Sequence, residues 1–171
     1  VLTRTRRTLE GVLQAWVILL MVALTGVVVV AVVYRKAGAS LAWYDEIASI
    51  LLAWVTYYGA ALAALNRGHI GFESLILALP RRVRVPLVVV AEGFVFGFFI
   101  VLGWTGWVVV RVLAGDTLVS LPEISVQLTQ SVIPVGAVLF ILCEAVSLPG
   151  HWRRMLGGID DEAAAAEGAP P

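Results

Sequence analysis

The chain has 171 residues, of which 60% are hydrophobic and 14% charged, with a mean hydropathy of +0.94. Soluble globular domains lie nearer half apolar and a quarter charged, so this composition excludes an ordinary soluble enzyme domain and a disordered chain alike. Twelve basic residues balance twelve acidic ones, and there are one cysteine and two histidines, which removes the bulk electrostatic case for nucleic acid, an internal disulfide and a cysteine zinc cage.

The apolar residues fall in long blocks, and the reading is an all-α integral membrane protein with four transmembrane helices. Residues 1–10 are expected to form a cytoplasmic N-terminus carrying Arg4, Arg6 and Arg7. The first block covers about 11–33, with Gln14 and Thr25 as its clearly polar side chains. It is longer than the roughly 7–15 residues of a signal-peptide core, so a retained span is expected.

The second span is expected over about 44–65, opened by Asp45 and Glu46 and closed by Asn66, Arg67 and Gly68. Carboxylates in a first turn suit the positive end of the helix dipole. Phe72, Leu75, Ile76 and Leu79 then recur at helical spacing up to Pro80. That stretch, about 69–80, is too short to cross and predicts an interfacial helix.

The third span, about 85–113, carries Glu92 and the small-xxx-small pair Gly93 and Gly97, with Gly103 and Gly106 further along. The fourth, about 121–148, is expected to begin at Ser120-Leu-Pro-Glu123, which resembles a capping box, and to stop at Pro149-Gly150. Residues 149–171 read as a cytoplasmic tail, its Ala-, Glu-, Gly- and Pro-rich part disordered. Together 11–148 form one four-helix membrane domain.

Nine basic residues flank one side of these spans (Arg4, Arg6, Arg7, Arg67, Arg81, Arg82, Arg84, Arg153 and Arg154) and three the other (Arg35, Lys36 and Arg111). The positive-inside rule then places both termini in the cytoplasm, with Tyr34, Trp43 and Trp107 near the outer interface. No internal repeat is evident, against the design in which one small chain carries its own transport path.

Ionisable groups inside spans are costly and usually have a reason. Glu92 and Glu144 read either as a proton or cation site or as carboxylates held by nearby arginines. Asp45 and Glu46 read either as ion-pair partners of Arg111 or as a surface for an external partner. His69 reads as a helix-end cap or interfacial hydrogen-bonder, within reach of Glu73 one turn on. Gly59, Ala60, Ala61, Ala63 and Ala64 on the second span, and Gly93 and Gly97 on the third, read as helix-packing faces. No catalytic, cofactor-binding or metal-ligating constellation is present in the sequence, and the spans lack a polar central path.

The stretches Trp43-Tyr-Asp-Glu46, Leu51-Leu-Ala-Trp54, Tyr58-Gly59-Ala-Ala, Arg67-Gly-His69-Ile-Gly and Leu79-Pro80 resemble the small membrane subunit (DctQ type) of the tripartite ATP-independent periplasmic (TRAP) transporters. The resemblance covers roughly 11–148 and is densest from Trp43 to Pro80. It departs at Ser49, where many members carry an arginine. It implies a scaffold subunit, not an enzyme, in the bacterial inner membrane. Its implied partners are a large membrane subunit (DctM type) holding the substrate and sodium sites, a periplasmic substrate-binding protein (DctP type), and lipid. The work implied is packing and help in docking, for uptake of an organic acid or similar solute. The rival reading from the residues is a self-sufficient small proton-coupled exporter working around Glu92.

Overall fold

The structure, a computed structural model, describes residues 2–66 and 80–157. Within them lie α1 (Leu2–Lys36), α2 (Tyr44–Leu65), α3 (Arg81–Val112), α4 (Val126–Gln130) and α5 (Val132–Gly157). Four helical stretches are long and apolar enough to span a membrane: Arg6–Lys36, Tyr44–Leu65, Val85–Val112 and Val126–Pro149. Strand pairing among the described residues is limited to one isolated bridge between Thr117 and Ser125. The proposed interfacial helix at 69–80, together with Arg67, His69 and Glu73, lies outside the described residues, as does 158–171.

α1 begins well before the apolar block, because nothing in its polar first turns breaks a helix. It ends in a Schellman turn. The Ala39 amide donates to Tyr34 O at 3.0 Å and the Gly38 amide to Arg35 O at 3.2 Å. Gly38 takes φ +83°, a left-handed conformation that glycine adopts without penalty. Gly115, at φ +100°, serves a different turn just after α3, closed by the Asp116 amide donating to Leu113 O at 3.2 Å.

The helices pack in a row, α1 on α2, α2 on α5, and α5 on α3. On α1 the buried residues Leu13, Val17, Leu20 and Ala31, with half-buried Leu24 and Val27, alternate in steps of four and three. That mean spacing of about 3.5 is the signature of one narrow, left-handed packing seam. Arg6 closes its far end, donating from its guanidinium to Leu65 O at 3.0 Å. Arg35 closes the near end, donating to the Tyr44 hydroxyl at 3.1 Å with its guanidinium carbon 5.9 Å from the ring centroid. α1 and α2 are therefore antiparallel neighbours clamped at both ends.

α5 occupies the middle. Against α2 it seats Phe140 and Cys143 on Ala61, Ala64 and Leu65. Gly136 lies so close to Tyr57 that an added Cβ would stand 2.8 Å from the tyrosine Cβ. Against α3, Phe140 stacks on Phe99 with centroids 3.6 Å apart and planes within 7°. Further along, Gly103 faces Ala137, and Gly106 faces Ile133 and Pro134.

The last membrane segment departs from the expected single helix over 121–148. Residues 120–123 do not cap a helix. They belong to a closed loop in which Leu118 donates to Ile124 O at 3.0 Å and Val126 to Asp116 O at 3.0 Å. The helix then breaks at Ser131, where the Ser131 Oγ donates to Leu128 O at 2.6 Å. The Trp54 indole donates to Thr129 O at 3.0 Å, pinning this joint to α2. At the other end Pro149 does not stop α5, which runs on to Gly157. Proline removes one amide donor but leaves the rest of the ladder available.

Candidate functional site

Two ends follow from the packing: a loop end, with residues 37–43 and 113–125, and a termini end, with Arg6, Asn66 and the start of α3. The most constructed feature lies at the loop end. Glu46, in the first turn of α2, accepts from the Val119 amide at 3.2 Å and from the Ser120 amide at 2.9 Å. The Ser120 hydroxyl donates to Ala42 O at 3.3 Å. The carboxylate thus ties the 113–125 loop to the first turn of α2, and the Ser120 hydroxyl ties it to the 37–43 loop. Leu118 is buried beneath it, while Val119 is 91% exposed at the tip.

Of the two readings of Asp45 and Glu46, as partners of Arg111 or as a surface for an external partner, the first is not seen, and Glu46 holds loop backbone instead. Among the described residues no ion pair joins Arg111 to either carboxylate, and Asp45 stands exposed beside the bridge. Ser49 donates its hydroxyl to Glu46 O at 2.9 Å. Ser49 therefore steadies the first turn of α2. The signal for the Glu46 bridge was half legible, since an acidic residue opening a helix was visible and its partner was loop backbone, which no residue type announces.

Glu92 and Glu144 are not equivalent. Glu144 is 3% exposed on α5, next to the Cys143 core and one turn before Ser147, whose hydroxyl donates to Glu144 O at 2.9 Å. Glu92 sits half-exposed on α3. Both make interactions within the protein. No group of three or more His, Cys, Asp or Glu residues suited to a metal occurs among the described residues.

The small residues divide as well. Ala60 packs against the core cluster, and Ala63 is half-buried. Gly59, Gly93 and Gly97 have nothing within 4 Å of a built Cβ. Helices α2 and α3 were expected to approach each other or a partner through these residues; within the chain they do not meet, because α5 stands between them. The close approaches use Gly103, Gly106 and Gly136 instead. Gly93 and Gly97 lie on an open face with Phe94 and Phe98, which are 75% and 62% exposed.

Chemically the described residues offer a braced frame. One end is a loop held by a carboxylate, and the sides are wide apolar faces. No curated protein matches the chain. A family profile does: that of the tripartite ATP-independent periplasmic transporters, DctQ component, over residues 24–154. The match takes in the last third of α1, all of α2 and α3, the loop end and α5 almost to its last turn. Such a family is a transporter component and not an enzyme class, and its members associate with DctM and DctP components. This multi-pass membrane chain belongs to the DctQ family, the small membrane subunits of TRAP transporters.

Proposed function

We propose that this subunit is a static brace. It packs its open apolar faces against the large, ion-coupled DctM-type subunit and presents its loop end to a DctP-type substrate-binding protein. The observation that carries the reading is the row of helices. Only 6% of the α3 span, at one end of the row, is buried, so this helix offers whole faces to a partner or to lipid. The hydroxyls of Thr25, Thr56 and Thr105, within the spans, turn back onto their own helices and so do not line a crossing path.

In this reading the loop end faces the periplasm and both termini face the cytoplasm, as the nine basic residues on the termini side favour. The membrane is the bacterial inner membrane. Sodium binds in the large subunit, and the solute is an organic acid or a compound of similar charge. The bridge from Glu46 to Val119 and Ser120 keeps the docking loop in one conformation, which lowers the entropy lost when a partner binds.

Co-purification tests the assignment. A tagged chain, gently extracted from cells that also make the large subunit, is expected to bring that subunit with it. Recovery as a stable monomer overturns the reading. Solute flux by the chain alone in liposomes, abolished by Glu92→Gln, would establish the exporter instead. Docking is checked separately by a photo-crosslinker at Val119, which is expected to capture the binding protein.

A further inference from the structure

A groove of about 420 Å³ runs between α3 and α5. Its walls are Trp107 and Val110 on one side and Pro134, Val135, Val138 and Leu142 on the other. Its surface is wholly apolar. Even Ser131, at its upper end, turns its hydroxyl back onto Leu128 O. The groove exists because the glycines at 103 and 106 let the helix backbones close up, leaving Trp107 and Val138 standing proud, 55% and 54% exposed.

Its length and its upper end identify an occupant. From Ser131 to Leu142, at 1.5 Å per residue, the groove covers about 16 Å. That is roughly one leaflet of a hydrocarbon core about 30 Å thick. Arg111 lies one helical turn beyond Trp107 on the same side of α3, at the loop end. It is exposed, and among the described residues its guanidinium has no ion pair or side-chain hydrogen bond. A tryptophan at the interface with a cation just outside it is the arrangement that fits a lipid, apolar below and anionic at its head.

We infer that this groove holds one acyl chain of a glycerophospholipid from the loop-end leaflet, with the lipid phosphate against Arg111. The site depends on the chain being embedded in a membrane and not on what docks at the loop end. Bound there, the lipid fills the notch between α3 and α5.

Native mass spectrometry of the detergent-extracted chain tests this, with phosphatidylglycerol, phosphatidylethanolamine or diacylglycerol added. One phospholipid of either kind is expected to survive activation that strips diacylglycerol, which lacks the phosphate. Arg111→Gln is expected to weaken phospholipid retention about fivefold, the worth of one cation at a membrane surface, and to leave diacylglycerol unchanged. Val138→Trp fills the groove and is expected to lower retention of all three. A photo-crosslinker at Val138 in the intact transporter, in native membranes, is expected to label phospholipid. Retention unmoved by Arg111→Gln, or a Val138 crosslink to protein instead of lipid, overturns the inference.

Discussion

Helices α5 and α3 are both apolar enough to span a bilayer, yet 39% of one span is buried and 6% of the other. The oilier of the two, α3, is the less buried. In water this would be a contradiction, because apolarity drives burial. In a bilayer the tails are as apolar as leucine, so no hydrophobic force tells the inside of the bundle from the outside. What separates the helices is shape. α5 carries Gly136 and Ala137 where α2 and α3 close on it, whereas α3 buries one line of residues, among them Val88, Phe99, Gly103, Gly106 and Val110.

The comparison breaks most sharply at Gly136. A Cβ there would sit 2.8 Å from the Tyr57 Cβ, an atom that cannot move without its helix. Gly136→Val is expected to destabilise the bundle by about 3 kcal/mol, as overpacking does at its upper end. Reversible unfolding in bicelles measures it. Next comes Phe140→Ala, which removes the ring stacked on Phe99 and 4% exposed at the centre of the core. In a soluble core such a loss costs roughly 3–5 kcal/mol. Here the water-transfer part is absent and only lost dispersion and the cavity remain, so about 2 kcal/mol is expected by the same measurement. A cost within the roughly 3–5 kcal/mol of a soluble core would show that α5 behaves as a soluble core helix and that the lipid argument fails.

The same physics decides what the sequence made legible. Four spans, their antiparallel order and the family were readable because length, hydropathy and the Trp43–Pro80 motifs are one-dimensional signals. The seam of α1 was not. Leu13, Val17 and Leu20 face a neighbour while Val12, Leu19 and Val22 face outward, and the two sets have the same chemistry. Gly93-xxx-Gly97 carried the familiar packing spacing and lies on an open face, whereas Gly103 and Gly106, three apart, carry the contact. Spacing shows that a helix can be approached, and only a complementary bulge such as Ile133 decides where it is. The break at Ser131 was masked by Ser120–Glu123, a capping pattern whose Ser120 amide is instead taken by Glu46, 74 residues away in sequence.

Smaller effects sharpen the contrast between the pinned and the open parts. Trp54→Phe keeps the ring but loses the indole donor to Thr129 O. A loss of about 0.6 kcal/mol is expected, the usual worth of an interhelical hydrogen bond in a membrane, with the damage confined to the α4–α5 joint. Glu46→Gln keeps one acceptor where there were two. The global unfolding midpoint is expected to stay put, while hydrogen exchange at the Val119 and Ser120 amides quickens about tenfold, a local opening and not an unfolding. An equal rise in α5 amides would mean that loop and bundle open together.

Gly97→Ala is the smallest and the most telling. Nothing lies within 4 Å of the added methyl, and alanine holds a helix better than glycine. For the chain alone the expected change is under about 1 kcal/mol, toward greater stability, opposite in sign to Gly136→Val. In the assembled transporter the two outcomes part. If the open face of α3 meets lipid, recovery of the large subunit with the tagged chain is unaffected by the alanine. If that face meets the large subunit through a close glycine contact, recovery falls although the isolated chain has become more stable. A variant that strengthens the part and weakens the whole can do so only at an interface, so this one substitution reports which of the two surrounds the least buried helix.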